Sequence, residues 1–206
     1  MKKENISKRK LKSIETKKNI YEAAKRLVME HGIENVSVNS IVEAAGVSKG
    51  AFYVHFESKD TLFANLVNDY TNMADLDYKS FLLKSSDNKS VFDILKQLAE
   101  EISDFIEHNI GLDNMRALYK AHLSKTIDTT SAISYDRELY KLFREVLEMG
   151  VNRGEIREDI PVDLLAKHLI LAIRGITFEW CIRYPDLSLK VQVLDNYKIL
   201  LYGLKK

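Results

Sequence analysis

The sequence predicts an all-α protein of about nine helices. Only two prolines and eight glycines interrupt its 206 residues, and apolar residues recur at helical spacing along most of the length. Alternating strand patterns are almost absent. A chain of this size can fold into one or two domains with a substantial core.

The first helix is predicted from about Thr16 to His31, where Gly32 ends it. The segment before it is basic, since residues 1–18 carry eight lysines and arginines against two glutamates. Residues 1–60 have a net charge of +4 and the remainder −3. Such a basic arm suits a polyanion. Its first eleven residues are expected to be a disordered tail that could order on a DNA duplex.

Two short helices joined by a tight turn are predicted next. Ser37 can cap a helix that Gly46 closes in the left-handed conformation, and Ser48 can cap the following helix. In a DNA-binding helix-turn-helix the second helix enters the major groove. The pattern therefore favours DNA binding, and the alternative is a plain packing unit of two helices.

Six further helices are predicted along the rest of the chain. The longest runs from the cap Ser58 to about Leu83, and a polar loop follows it over Ser85–Ser90. A second loop is expected at Asp128–Ser131. The next predicted helix starts after the cap Ser90 and is closed by residues 108–111. The others span about 112–124, 132–152, 161–180 and 188–204.

The last two predicted helices carry apolar residues around much of their circumference. A helix of this kind must be covered on more than one side. The sequence therefore predicts a partner subunit here, and the alternative is a large monomeric core.

Composition argues against several classes of protein. The single cysteine, Cys181, excludes an internal disulfide and fits a reducing compartment. No signal peptide or membrane span is recognisable, so a cytoplasmic protein without a membrane partner is expected. The five histidines lack ligand spacing, and no phosphate loop or nucleophile elbow occurs. We expect no catalytic residue, metal or cofactor, which makes an enzyme the disfavoured alternative.

Residues 44–62, AAGVSKGAFYVHFESKDTL, follow a helix ending at Gly32 and the triplet Val36-Ser37-Val38. This stretch resembles the DNA-binding signature of TetR/AcrR-family transcriptional regulators over residues 16–66. Further on the resemblance is architectural, in GVNRGEIRED (150–159) and the two final helices. It implies an N-terminal three-helix helix-turn-helix DNA-binding domain (1–57 with the basic arm). It also implies a larger C-terminal helical ligand-binding and dimerisation domain (58–206, with dimerisation helices in 161–204).

The resemblance implies a homodimer that reads a palindromic operator in double-stranded DNA and represses transcription until a small molecule releases it. A ligand-dependent activator and a helical protein-interaction adaptor are the alternatives. Lys49 could reach guanine O6 or N7, and Ala51 a thymine methyl. Ala51 and His55 depart from the Thr and the aromatic residue of many members. The DNA-binding positions carried over are Ser37, Asn39, Ser48, Lys49, Gly50, Ala51, Tyr53, His55 and Lys59.

The effector pocket is expected among the fifth to eighth helices, with an apolar or amphipathic ligand. Ligand binding is expected to tilt the long helix that starts at Ser58 and so to separate the paired recognition helices. Each candidate lining residue could instead be ordinary core. The candidates are Phe105, Met115, Tyr119, His122, Tyr140, Phe143 and Phe178.

Overall fold

The computed structural model describes residues 2–84 and 89–206. Within these ranges the chain forms ten α-helices, a 3-10 turn (Ile33–Asn35) and a π-helical turn (Ile106–Ile110). The all-α prediction is confirmed. The helices are α1 (Lys2–His31), α2 (Val38–Ala45), α3 (Lys49–His55), α4 (Lys59–Lys84), α5 (Val91–Phe105), α6 (Leu112–Ser124), α7 (Thr130–Ile133), α8 (Glu138–Asn152), α9 (Val162–Arg183) and α10 (Leu189–Tyr202).

Helix α1 begins at Lys2, fourteen residues before the predicted start at Thr16. The disordered tail expected for the first eleven residues is therefore wrong for residues 2–11. Lysine, arginine, glutamate and leucine are strong helix formers, and neither glycine nor proline occurs before Gly32. A helix anchored in the core from Ile20 onward can therefore propagate backwards through this segment.

The single helix predicted over 132–152 is two helices, α7 and α8, separated by residues 134–137. The hydroxyl of Ser134 accepts a hydrogen bond from the backbone N–H of Asp136 at 3.0 Å, which turns the chain. Arg137 then takes the extended conformation of a helix N-cap. The predicted polar loop after α4 lies mostly in residues 85–88, outside the described residues.

The chain divides into two compact units. The first comprises residues 1–68 and 116–129, and the second comprises residues 69–115 and 130–206. The first unit thus includes residues 116–129, which the sequence analysis assigned to the C-terminal domain. In the second unit α5, α8, α9 and α10 pack around a buried core. Its largest fully buried side chains include Leu95, Leu98, Phe143, Leu147 and Tyr197.

The segment after α8 ties three parts of the second unit together. A carboxylate oxygen of Glu155 accepts the backbone N–H of Val91, the first residue of α5, at 2.8 Å. Ile156 pairs with Lys205 in an isolated antiparallel bridge, and the Arg157 N–H donates to the Leu204 carbonyl at 3.0 Å. These contacts give a structural role to the GVNRGEIRED segment. None of the helices in the described ranges is both long and apolar enough to cross a membrane.

Candidate nucleic-acid interface

Helices α1, α2 and α3 and the start of α4 surround one hydrophobic core. Its fully buried members come from all four helices, including Ile20, Ile41, Phe52, Leu62 and Phe63. Phe52 and Phe56 face this core, with ring centroids 5.7 Å apart. The surface of α3 is thus presented on a packed three-helix scaffold.

Local capping sets the ends of the two short helices. The Ser37 hydroxyl accepts the Ser40 N–H at 3.1 Å, while the Ser40 hydroxyl accepts the Ser37 N–H at 2.9 Å. This reciprocal pair is a capping box, with serine in the place that glutamate or glutamine usually takes. Gly46 closes α2 at φ 66°, a left-handed conformation that favours glycine.

The Ser48 hydroxyl caps α3 by accepting the Ala51 N–H at 3.1 Å. The outward face of α3 contains most of the predicted reading residues. Lys49, Gly50 and Tyr53 are exposed, whereas Ala51 and His55 are partly buried. Val54 is 78% exposed on the same face. Sequence reasoning missed Val54, although its position four residues after Gly50 could have identified it.

Gly50 has no role that the protein's own packing explains. A Cβ at this position would meet only the Ser48 hydroxyl, at an ordinary contact distance of 3.8 Å. Glycine inside a helix is less favourable than alanine by about 0.5–1 kcal/mol. A glycine retained in open space on an exposed helix start is consistent with close approach by a partner.

Lys59, predicted to contact phosphate, also holds the first unit together. Its ammonium donates to the Val36 carbonyl at 3.1 Å and lies 5.2 Å from the centre of the Phe63 ring. Of the two predicted residues on α2, Asn39 is exposed and Ser37 is the exposed cap. The exposed cations of α1, including Lys8, Arg9, Lys10 and Lys12, add positive charge to the same unit.

The family model for bacterial regulatory proteins of the tetR family matches residues 20–66, the segment that forms α1 to α4 around this core. Over this segment the chain is similar to that family.

Curated relatives of this chain are named as repressors. The transcriptional repressor KstR2 of Rhodococcus jostii is 27% identical over 154 residues, covering 73% of this chain and 72% of that protein. The repressor AcnR of Corynebacterium glutamicum is 27% identical over 167 residues, covering 80% of this chain and 81% of that protein.

Solved structures share the fold of this chain. The Thermus thermophilus repressor FadR, solved with lauroyl-CoA, superposes with a TM-score of 0.67 at 18% identity and covers 91% of this chain and 94% of its own. A TetR-family regulator from Mesorhizobium loti gives a TM-score of 0.72 at 20% identity, with 94% and 98% coverage.

Residues 116–129 pack into the first unit. Ile127 lies against its hydrophobic core, and Lys120 forms an ion pair with Glu34 at 2.7 Å. A ring nitrogen of His122 hydrogen-bonds the buried Thr129 hydroxyl at 2.5 Å. The sequence offered no signal for this association, because it joins segments far apart in the chain.

The seven candidate pocket residues are divided between the two units. Tyr119 and His122 belong to the first unit and the other five to the second. Phe105, Met115 and Phe143 are buried in the core, and Phe178 is exposed on α9. The Tyr140 hydroxyl donates to the Asp163 carbonyl at 3.0 Å.

A groove of about 560 Å³ in the second unit is lined by different residues from those proposed. It lies between one face of α4 and the segment from α7 to the start of α8. Its lining residues are Thr71, Asn72, Asp75, Leu76, Lys79, Ser131, Ser134, Asp136, Arg137 and Glu138. Sequence periodicity did not indicate it, because its residues are mostly polar and come from separate segments.

Asp104, Glu107 and His108 bring their potential ligand atoms within 4.8 Å of one another at the π-helical turn. A cation already sits beside this cluster, since the Lys190 ammonium contacts Asp104 and Glu100, each at 2.8 Å. Hydrogen bonds to these two carboxylates raise the pKa of Lys190. The arrangement is a charge-paired contact between α5 and α10.

Proposed function

We propose that this protein is a transcriptional repressor that binds a palindromic DNA operator as a homodimer and is released by a small-molecule effector. The observation that carries the proposal is the capped helix α3, whose exposed face of Lys49, Gly50, Tyr53 and Val54 stands on a packed three-helix unit. The names of the curated relatives support repression over activation. We also propose that it acts in the cytoplasm, as a bacterial DNA-binding regulator would.

The reading residues have distinct roles in this proposal. Lys49 donates to guanine acceptors, and the methyl groups of Ala51 and Val54 contact thymine methyl groups in the major groove. Ser37, Asn39, Tyr53, His55 and Lys59 contact phosphates, which fix the register on the duplex. Ser48 sets the start of α3 through its cap. Gly50 keeps that start free of a side chain.

The homodimer rests on an uncovered stripe along α9. Exposed residues recur at alternating spacings of four and three, which is the seam that a partner helix covers. Gly175 lies in the middle of the stripe, and a Cβ there would meet nothing within 4 Å, so a second helix can approach closely. The stripe consists of Leu164, His168, Leu171, Gly175, Phe178 and Ile182.

Coupling between effector and DNA would use two helices. Residues 59–68 of α4 and 116–124 of α6 belong to the first unit, whereas residues 69–84 and 112–115 belong to the second. Neither helix contains a glycine or proline, so each can transmit a displacement along its length. Because the two recognition helices of a dimer must lie about 34 Å apart, a small tilt breaks simultaneous contact.

The test is a gel shift with DNA from upstream of the protein's own gene. Wild type should give a specific shift, and Lys49→Ala should weaken it by about 1–3 kcal/mol, the value of a base contact. If the dimer contacts about 6–10 phosphates, affinity should fall by roughly 10³ to 10⁵ between about 50 and 200 mM salt.

Gly50→Ala separates DNA contact from folding. The open space around Gly50 predicts that this variant melts at or slightly above the wild-type temperature. Its operator affinity should nevertheless fall, because a methyl group then stands between α3 and the bases. Wild-type protein that gives no specific shift at low salt, or Gly50→Ala protein that binds as wild type does, would contradict the proposed interface.

A further inference from the structure

The groove between α4 and the α7–α8 segment has a charge pattern that indicates what it binds. This inference rests on the proposed function, since it assigns the effector. At about 560 Å³ the groove falls within the range of small-molecule sites. Five of its lining residues are charged, and they include both signs: Asp75, Lys79, Asp136, Arg137 and Glu138.

The Asp75–Arg137 ion pair is the least exposed charged part of the lining. The side chains of Arg137 and Asp75 are 16% and 7% exposed. The guanidinium donates to both carboxylate oxygens of Asp75, at 2.5 and 3.3 Å, and to the Ala132 carbonyl at 2.7 Å. A guanidinium has five N–H donors, so two remain beyond these three bonds. Arg137 can therefore donate to one more anionic or carbonyl group without releasing Asp75.

Carboxylates dominate the rest of the groove. Glu138 is shared between Lys141 at 2.6 Å and Lys79 at 3.6 Å. Asp136 is exposed, and its carboxylate accepts the Ser134 hydroxyl at 3.4 Å, while the charge of Lys141 also acts on it. A carboxylate in this position attracts an ammonium or guanidinium group. Negatively and positively charged side chains thus lie within one small groove.

This pattern disfavours a hydrocarbon ligand. Covering five charged side chains with an alkyl chain removes their water and supplies no hydrogen bond in return, which is costly for each group. Carbon atoms, including those of Leu76 and the aliphatic stems of Lys79 and Arg137, form most of the accessible lining, so a ligand with charged ends and an apolar body fits better than one that is only hydrocarbon. A molecule with one charge satisfies only one end of the groove.

We propose that this groove is the effector site and that its ligand is a small zwitterion of the amino-acid or short-peptide class. The ligand's carboxylate contacts the remaining donors of Arg137, and its ammonium contacts Asp136. Arg137 is the N-cap residue of α8 and contacts α4 through its ion pair with Asp75. If the ligand binds more tightly to one arrangement of the Arg137–Asp75 contact than to another, it favours that arrangement and so shifts the position of α4.

The test uses a defined panel of probes and two tryptophan variants. The probes are the common free amino acids and simple dipeptides, with dodecanoate and lauroyl-CoA as apolar comparators. Asn72→Trp fills the groove from an exposed position on α4, whereas Ser80→Trp puts the same side chain on α4 outside the groove. Binding is measured by calorimetry on the full chain, with thermal melts to check folding.

We expect at least one zwitterionic probe to bind wild type and Ser80→Trp, to lose binding in Asn72→Trp, and to change operator affinity by about 5- to 150-fold. The proposal is overturned if no zwitterion binds at millimolar concentration, if binding persists in Asn72→Trp, or if a bound zwitterion leaves operator affinity unchanged. If Asn72→Trp does not fold, Ser134→Trp, from the opposite wall, replaces it. Operator binding without any probe tests the proposed function separately.

Discussion

Asp75 and Arg137 form an ion pair that is largely removed from water. Their mutual attraction offsets the loss of hydration only because the guanidinium also reaches the Ala132 carbonyl. A pair of this kind differs from the exposed pair Arg144–Glu148, in which both side chains are more than 40% exposed. The two pairs therefore make a matched comparison within one chain.

We predict that Asp75→Ala lowers the free energy of unfolding by about 3–5 kcal/mol, because Arg137 is then left buried without its counter-ion. The exposed control Glu148→Ala should lower it by about 1 kcal/mol or less. Equilibrium urea unfolding followed by circular dichroism gives both values. The double variant Asp75→Leu with Arg137→Met should recover much of the loss. Equal midpoints for the Asp75 and Glu148 variants would refute this ranking.

Single residues differ in how well their contacts can be predicted from the sequence. The Ser37 and Ser48 caps were predictable, because a cap joins a side chain to a backbone group three residues away. The contact of Lys59 with the Val36 carbonyl spans 23 residues and carries no local signature. The same distinction separates the recognition face, which is local, from the groove, which is not.

At the scale of elements, the end of α8 is locked against the start of α5. A Cβ added to Gly150 would lie 2.7 Å from Ile156 Cδ1 and 3.0 Å from Val91 Cγ1, so only glycine fits without a shift. The bond from Val91 to Glu155 joins the same two elements. Glycine here serves close packing of helices.

Gly150→Ala should therefore lower the free energy of unfolding by about 1–3 kcal/mol through overpacking. Gly203→Ala is the control, because its nearest neighbour would be a backbone oxygen at 3.4 Å on an exposed turn. Denaturant unfolding monitored by tryptophan fluorescence reports both. Adding Ile156→Val to Gly150→Ala should restore part of the loss. A Gly150→Ala protein as stable as wild type would contradict this prediction, because the neighbouring side chains would then have moved aside without loss of stability.

Helix existence was predictable from periodicity, but helix boundaries were less so. The interruption between α7 and α8 was missed because apolar spacing continues across it through Leu139 and Leu142. Arg137, the N-cap residue of α8, also contacts Asp75, 62 residues away, and such a contact has no local signature. Likewise, α1 extends further than predicted because residues 2–15 favour a helix without having an apolar face to pack.

At the scale of the whole molecule, the uncovered stripe on α9 predicts the oligomeric state. Ile182→Glu places a charge where the proposed partner helix packs, at a side chain that is 59% exposed in one protomer. We expect this variant to elute as a folded monomer in size-exclusion chromatography with light scattering and to lose operator affinity. Leu123→Glu, at an exposed apolar residue outside the stripe, should remain dimeric. If the Ile182→Glu protein remains dimeric, the dimer interface does not lie along this stripe.

Pairing along the stripe on α9 would also make thermal stability and operator occupancy depend on protein concentration. If folded protomers are stabilised by pairing along it, the melting temperature rises with protein concentration by mass action. Operator occupancy then depends on roughly the square of the protomer concentration wherever monomers predominate. A cell holding few copies would therefore respond more than proportionally to a change in synthesis, so the interface itself sets a threshold for repression.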